Sequence, residues 1–199
     1  IDFTCGLKPA MRQRAQLVPQ ARGCVLEMGV GSGLNLPFYD AARVTRLHAL
    51  DPSPELWRLA SERVAGAGIA VEYLEAAAEA VPLGNRSVDT VVITYTLCTL
   101  PDVAGALAEA RRVLRPGGQL LFCEHGAAPD HGVRRWQDRL NPAWRRLAGG
   151  CHLNRDAPAL IEQAGFRITS LDSMYRGKRD IQYQVSADGI ELDIDTAIP

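Results

Sequence analysis

Short apolar runs alternate along the chain with segments whose apolar residues recur at helical spacing. The apolar runs predict six strands: Cys24–Met28, Arg46–Leu50, Ala70–Leu74, Val88–Thr94, Gln119–Glu124 and Phe166–Met174. Helices are predicted over Ser53–Ala65, over Val103–Leu114 and from Asp156 to Gly165, because capping residues, prolines and glycines mark their ends. Strand and helix in regular succession predict an α/β fold with a mostly parallel sheet, right-handed crossovers and helices on both faces.

The stretch EMGVGSGLN, Glu27 to Asn35, begins at the end of the first predicted strand and carries three glycines at alternate positions. Its G-x-G-x-G spacing departs from the dinucleotide fingerprint, which would need glycine where Leu34 stands. No Gly-Lys-Ser/Thr triplet follows, so a P-loop is excluded. Glycines nevertheless let a backbone approach a ligand closely. A nucleoside cofactor bound without phosphate contacts fits this pattern.

Two carboxylates flank the glycine stretch in the predicted sheet. Glu27 ends the first strand, and Asp51 follows the second strand, 18 residues after Gly33. An acidic residue at this distance accepts hydrogen bonds from ribose hydroxyls in doubly wound folds. The alternative is a tight turn of small residues in which Asp51 caps the helix beginning near Ser53.

Four segments, LEMGVGSG, ALDPSPE, SVDTVVI and RVLRPGG, resemble class I S-adenosylmethionine-dependent methyltransferases in order and spacing. The resemblance covers about residues 25–174. It implies a Rossmann-like sheet of seven strands with the last antiparallel, S-adenosylmethionine as cofactor and S-adenosylhomocysteine as product. We expect one domain over residues 1–199, with a cap helix within about residues 1–20.

The same resemblance assigns cofactor contacts. In this family the glycine motif and its acid hold the methionine half, the acid after the second strand holds the ribose, and the loop after the third strand contacts adenine. The implied cofactor residues are Glu27, Gly29, Gly31, Gly33, Asp51, Pro52, Ala78, Glu79 and Thr94. The adenine loop departs from the family, because Ala76 and Ala77 stand where many members have a glycine and an acid or serine.

Candidate acceptor residues follow the fourth and fifth predicted strands. His125 could take a proton from a thiol, phenol or amine near neutral pH, and is the candidate catalytic residue. The alternative is a strand-end histidine bonded to a loop carbonyl. Cys98 is expected to be a pocket or core side chain, because in-line methyl transfer needs positioning and desolvation rather than a nucleophilic cysteine.

Residues of about 127–156 form the least generic segment and are expected to be a substrate-cover insertion. Apolar residues recur at helical spacing between five arginines, with a break expected at Asn141-Pro142. Three interpretations stay open: an amphipathic helix pair packed on the sheet, a substrate lid, or a surface for anionic lipid.

The segments YTLCTLPD, FCEHGAAP, WQDRLNPAW and GGCHLNRD resemble a methyltransferase-like branch that includes alkyl thiol methyltransferases and small bacterial relatives. The resemblance implies a small apolar thiol as acceptor. It implies a pocket lined by Tyr95, Cys98, His125, Trp136, Trp144 and Asn154. The alternatives are N- or O-/C-methylation of a phospholipid amine or quinone-like phenol, and a non-catalytic cofactor-binding protein.

The net charge and the cysteine pattern argue against some classes of binding partner. A net charge of −1 argues against a general nucleic-acid binder. The five cysteines form no Cys-x-x-Cys motif, so no metal site is predicted and reduced cysteines in a cytoplasmic protein are expected.

No apolar run reaches the ~18 residues of a membrane span, and no signal peptide is visible. A soluble form is therefore predicted, and contact with a membrane surface stays an alternative. The tail of about residues 180–199 does not match the family. Its IELDID stretch could pair as an edge strand or form a disordered acidic tail.

Overall fold

The chain folds around a central sheet, described by a computed structural model over residues 5–176 and 180–188. Its strands are β1 (Gly23–Met28), β2 (Val44–Leu50), β3 (Val71–Leu74), β4 (Val88–Thr94), β5 (Leu114–His125), β6 (Ile168–Arg176) and β7 (Asp180–Asp188). The seven strands lie in the order β3-β2-β1-β4-β5-β7-β6. Strands β1 to β5 pair in parallel with one another, whereas β7 runs antiparallel to β5 and β6. The predicted mostly parallel α/β sheet is confirmed.

Helices connect these strands. They are α1 (Lys8–Leu17), α2 (Pro54–Arg58), α3 (Ser61–Gly66), α4 (Val103–Val113), α5 (His131–Leu147) and α6 (Ala157–Gln163), with 3₁₀ turns at Val18–Gln20 and Leu36–Phe38. Asp102 and Asp156 cap α4 and α6, since their carboxylates accept the amides of Gly105 and Ala159. None of the helices in the described ranges is long and apolar enough to cross a bilayer.

The core divides into two clusters because side chains alternate along each strand. Val91 and Ile93 of β4 belong to a cluster that includes Leu107 of α4 and Ile161 of α6. Val92 faces the other way, into a cluster that includes Leu17 of α1. Each buried valine or isoleucine contributes about 1.5–3 kcal/mol to the burial free energy. Helices therefore pack on both faces, and the strand order reverses between β1 and β4.

The predicted helix over Ser53–Ala65 is wrong, because the structure has two short helices, α2 and α3, in its place. The amides of Leu59 and Ala60 bond to carbonyls three residues back, which tightens the chain and ends α2. This break accompanies two packing contacts. Trp57 stacks on Tyr73 with ring centroids 4.8 Å apart, and Ala60 is fully buried.

Two further predictions need correction. The fifth strand begins at Leu114 rather than Gln119, because Leu114 already pairs with Val88 and the proline-glycine turn is an irregularity within the strand. The helix pair expected around Asn141-Pro142 is one continuous helix, α5, that contains Pro142. The IELDID stretch, residues 190–195, lies outside the described residues.

Candidate cofactor and acceptor site

The candidate site lies where β1, β2, β4 and β5 end. Met28 pairs with Leu50 on one side and Ile93 on the other, and Thr94 pairs with Cys123, so these strands end at one edge. In open α/β sheets ligands bind beyond this edge, at the point where the strand order reverses. The turns that follow the four strands therefore share one ligand-binding region.

The three glycines of the turn after β1 all have positive φ but serve different purposes. A Cβ at Gly29 would lie 2.4 Å from the Thr96 hydroxyl oxygen, and one at Gly33 would lie 2.7 Å from a Leu36 methyl. These two positions need glycine for packing. A Cβ at Gly31 would meet nothing within 4 Å. Gly31 is thus the position where a ligand can approach the backbone.

Asp51 is held rigidly beside Gly31. Its two carboxylate oxygens accept hydrogen bonds from the amides of Gly31 and Ser53, each at 2.9 Å. The Tyr73 hydroxyl donates to the Asp51 carbonyl at 2.7 Å. Ser53 caps α2 with its own hydroxyl, which accepts the Leu56 amide, so the alternative role of Asp51 as the helix cap is wrong. Each carboxylate oxygen keeps a further acceptor site, which fits a ribose diol.

Glu27 and Thr94 lie in a buried network under the glycine turn. The Glu27 carboxylate accepts hydrogen bonds from the Asn35 amide at 2.9 Å and the Tyr39 hydroxyl at 2.7 Å. The Arg14 guanidinium of α1 donates to Asn35 Oδ1 at 2.6 Å and to Thr94 Oγ1 at 2.5 Å. Direct contact of Glu27 and Thr94 with the cofactor therefore stays a prediction, whereas their support of the turn is evident.

Burial raises the pKa of Glu27 to about 7, against the opposing effects of Tyr39, Arg14 and Asn35. Sequence reasoning missed these three partners. A polar residue in an amphipathic helix or loop is expected to face solvent, and nothing local marks Arg14 as buried. The network makes α1 part of the candidate cofactor site.

Glu27→Gln is expected to flatten the pH dependence of stability. Between pH 4.5 and about 7 the folded carboxyl binds a proton that the unfolded chain releases, so its stabilising contribution is lost as pH rises. The free energy of unfolding of the variant minus that of the parent protein should therefore rise by roughly 2 to 3 kcal/mol between pH 5 and pH 8. Urea unfolding at both pH values measures this gain. An unchanged difference between the two pH values for Glu27→Gln would contradict the expectation.

The remaining cofactor residues lie around this region with less specific contacts. Pro52 is exposed next to Asp51. The Ala78 side chain belongs to the core, and the Glu79 carboxylate accepts the Asp102 amide at 3.3 Å. Contact of Ala78 and Glu79 with adenine stays a prediction.

Tyr95 lies under α1 rather than in the acceptor region. Its hydroxyl donates to the Gln13 side chain, and the Arg14 guanidinium lies 5.1 Å from the ring centre. Burial raises the pKa of Tyr95, so the phenol stays protonated as a donor. Its positive φ of 55° turns the chain sharply after β4. A role of Tyr95 in the substrate pocket stays a prediction, with these contacts against it.

The acceptor end of the site brings together Cys98, His125 and Cys151. Their ligand atoms all lie within 4.8 Å of one another, and His125 Nε2 lies 3.1 Å from Cys151 Sγ. Both cysteines are buried, whereas His125 is partly exposed. Cys151 was not predicted, because the three residues come from distant segments and only the fold makes them neighbours.

Glu124 holds the turn that carries Cys98. Its carboxylate is fully buried and accepts the amides of Thr96 at 2.5 Å and Leu97 at 2.7 Å. Burial raises the pKa of Glu124 to about 7. On the other side the His152 amide donates to the Cys98 carbonyl at 2.8 Å. Sequence reasoning missed Glu124, whose signal was an acidic residue next to His125 at a strand end.

Helix α5 lies over the acceptor end of the site with its polar side inward. Gln137 accepts the Ala128 amide at 2.8 Å and donates to the Gly126 carbonyl, and Asn141 accepts the Leu153 amide at 2.9 Å. Its apolar residues are exposed instead: Trp136 at 60%, Leu140 at 53% and Leu147 at 85%. The interpretation that these three pack on the sheet is wrong, because the polar side makes the contacts.

The predicted pocket residues of the segment 127–156 differ in whether they lie at the cysteine cluster. Trp144 neighbours the Cys151 thiol and so lies at the cysteine cluster. Trp136 lies under the Arg139 guanidinium, and Asn154 donates to the Asp138 carboxylate at 2.7 Å. The structure thus brings Cys98, His125 and Trp144 together, while pocket roles for Trp136 and Asn154 stay predictions.

Residues 26–122 match the family model described as "Methyltransferase domain". Thiol S-methyltransferase TMT1A of Homo sapiens is 36% identical over 152 residues, and TMT1B of Rattus norvegicus is 34% identical over 155 residues. Each match covers 74% of this chain and 62% of the relative. Phosphatidylethanolamine N-methyltransferase of Cereibacter sphaeroides is 33% identical over 130 residues, covering 63% of each protein.

A solved structure of geranyl diphosphate methyltransferase in complex with S-adenosylmethionine has a TM-score of 0.72, with 12% identity. It covers 92% of this chain and 85% of the other. This likeness concerns the fold. The glycine turn with its open Gly31 position and the neighbouring Asp51 carboxylate fit the same cofactor. Motif, fold and relatives together show that the chain belongs to the class I S-adenosylmethionine-dependent methyltransferases.

Proposed function

We propose that this protein transfers the methyl group of S-adenosylmethionine to the sulfur of a small apolar thiol. The observation that carries this proposal is the position of His125, partly exposed between the buried Cys98 and Cys151 at the end of β5. The thiol S-methyltransferases of rat and human support the acceptor class. In this proposal residues 1–199 act as one domain, and residues 127–156 cover the acceptor.

The cofactor supplies an electrophilic methyl group on a sulfonium. In the proposal Asp51 accepts the ribose hydroxyls and the backbone at Gly31 lies against the cofactor, as the open space at that glycine supports. Glu27, Gly29 and Gly33 hold the turn around the methionine half. Pro52, Ala78, Glu79 and Thr94 complete the binding surface.

At the acceptor end, His125 takes the thiol proton. A weak base is sufficient, because a free thiol with a pKa near 8.5 already has a few per cent thiolate at neutral pH. Cys98 and Trp144 exclude water beside it, which leaves the reacting sulfur poorly solvated and more nucleophilic. The residues of the chain position and desolvate the acceptor rather than form a covalent intermediate.

A second candidate acceptor is a phospholipid amine or a quinone-like phenol. The exposed apolar side of α5, with Trp136, Leu140 and Leu147 among arginines, favours this candidate. The relative that acts as a phosphatidylethanolamine N-methyltransferase supports it too. A helix of this composition suits the boundary between lipid headgroups and acyl chains.

Methyl-labelled S-adenosylmethionine is expected to label small apolar thiols when the protein is offered thiols, amines, phenols and lipid extract. His125→Ala should lower thiol labelling by roughly 100-fold, within the range for loss of a general base. His131→Ala, on the exposed start of α5, is the matched control and should keep the activity. Label in amines, phenols or lipids would move the function to the second candidate. Cofactor binding without any labelled acceptor would favour a non-catalytic protein.

A further inference from the structure

The cluster of Cys98, His125 and Cys151 contains two thiols that methyl transfer with a single histidine base does not require. Two thiols and an imidazole converge with all ligand atoms within 4.8 Å. The Cys98 thiol donates to the Tyr95 carbonyl at 3.7 Å, and His125 Nε2 contacts Cys151 Sγ at 3.1 Å. Cysteines that only fill space need no such grouping with a histidine.

Two thiolates and one imidazole are a donor set that zinc prefers. In a tetrahedral site with metal–ligand distances of about 2.0–2.3 Å, neighbouring ligand atoms lie roughly 3.3–3.8 Å apart. The separation of His125 Nε2 and Cys151 Sγ is 3.1 Å and no separation within the cluster exceeds 4.8 Å, so binding a metal requires only small side-chain movements. Three protein ligands leave a fourth position, as in catalytic rather than structural zinc sites.

The three ligands are fixed by the surrounding backbone, as a preformed metal site requires. Cys98 lies in the turn that the buried Glu124 carboxylate holds through the Thr96 and Leu97 amides. His125 is the last residue of β5. The Cys151 amide donates to the Ala148 carbonyl at 3.1 Å, directly after α5.

The outer contacts also fit a metal centre. The Trp144 indole neighbours the Cys151 sulfur, and donor groups beside ligating sulfurs orient them. A divalent ion with two thiolates is close to neutral, which suits a site where both cysteines are buried. The partial exposure of His125 leaves one side of the cluster accessible to an acceptor.

The geometry points to a binding site for a soft divalent metal such as Zn²⁺, held by Cys98, His125 and Cys151, with a small thiol as the fourth ligand. The role of the fourth position rests on the proposed function, whereas metal binding does not. Binding to the ion removes the proton of the acceptor thiol, which leaves to solvent. A lone pair of the bound sulfur then forms the bond to the methyl carbon. The bond between that carbon and the sulfonium breaks, and its electron pair stays on the cofactor sulfur. His125 is then a ligand rather than the base.

Titration with Co²⁺ tests the site without any need for activity. The protein of 199 residues is reduced, stripped with a chelator and titrated with Co²⁺, whose thiolate complexes have charge-transfer absorption. One ion per chain is expected, displaced by Zn²⁺. Cys98→Ser and Cys151→Ser should each weaken binding at least about 100-fold. The control Cys24→Ser removes a cysteine of β1 outside the cluster and should bind like the parent protein.

Absence of charge-transfer absorption, or equal binding by the two serine variants and the parent, would overturn the metal site. So would a Cys98–Cys151 disulfide that forms in the Zn²⁺-loaded protein in air. Addition of a small alkyl thiol to the Co²⁺ protein should change the absorption, whereas a matched alkyl alcohol should not. No response to the thiol would overturn its role as fourth ligand. If metal and thiol bind but only amines or phenols are methylated, the proposed function fails while the metal site stands.

Discussion

Replacing Asp51 by alanine is expected to abolish most of the affinity for S-adenosylhomocysteine. Asp51 is 7% exposed, and the amides of Gly31 and Ser53 fix its carboxylate beside the glycine turn. Two charge-assisted hydrogen bonds to ribose hydroxyls at about 1.5–3 kcal/mol each correspond to a loss of 100-fold or more. Isothermal titration calorimetry of the variant and parent measures the difference.

The matched control for this experiment is Asp40→Ala. Asp40 is also a loop aspartate whose carboxylate accepts a backbone amide, that of Ala42 at 2.9 Å, but it is exposed. Its affinity should equal that of the parent. Should Asp51→Ala fail to fold, Asp51→Asn keeps one acceptor oxygen for the turn but loses the charge and the oxygen that accepts the second backbone amide. Parent-like affinity in a folded Asp51 variant would show that the ribose site is elsewhere.

The second prediction with a large effect concerns two glycines of the turn after β1. Substitution by alanine should lower stability at Gly29 and cofactor affinity at Gly31. In Gly29→Ala the new methyl would lie 2.4 and 2.5 Å from the Thr96 side chain, at a φ of +77°. Steric overlap and left-handed strain together should lower the free energy of unfolding by roughly 3 kcal/mol.

Gly31→Ala should instead leave most of the stability in place and remove cofactor binding. Its Cβ meets no protein atom within 4 Å, so only the strain at a φ of +52° remains, about 1 kcal/mol. The added methyl lies where the cofactor would meet the backbone and should weaken binding more than tenfold. Urea unfolding and ligand titration of both variants measure the contrast. If the two variants have the same stability and the same affinity, the division of roles between these glycines is wrong.

Local signals predicted the sheet well. Val88–Thr94 matches β4 at both ends, because a run of β-branched residues bounded by polar ones leaves little choice of register. Asp156 was predicted to start a helix, and its carboxylate accepts the Ala159 amide. The position of Asp51 at the end of β2, beside the glycine turn, also followed from spacing.

Features set by distant contacts could not be read from local patterns. The break between α2 and α3 accompanies the stacking of Trp57 on Tyr73, which are far apart in sequence. One of the three interpretations of the apolar stripe of α5 was a side packed on the sheet, but Gln137 and Asn141 fix the opposite side against the turns. The approach of Cys98 to Cys151 depends on the same three-dimensional arrangement and has no signature in spacing.

The two halves of the site differ in how freely their sequences can diverge. Gln137 and Asn141 attach α5 to backbone atoms, and such bonds persist whatever side chains the partner residues carry. The cofactor half depends on side-chain pairs such as Arg14 with Thr94 and Glu27 with Tyr39, where one change requires another. In evolutionary terms, the residues whose backbone Gln137 and Asn141 contact can change without loss of these bonds, whereas the pairs Arg14–Thr94 and Glu27–Tyr39 can change only through coordinated substitutions.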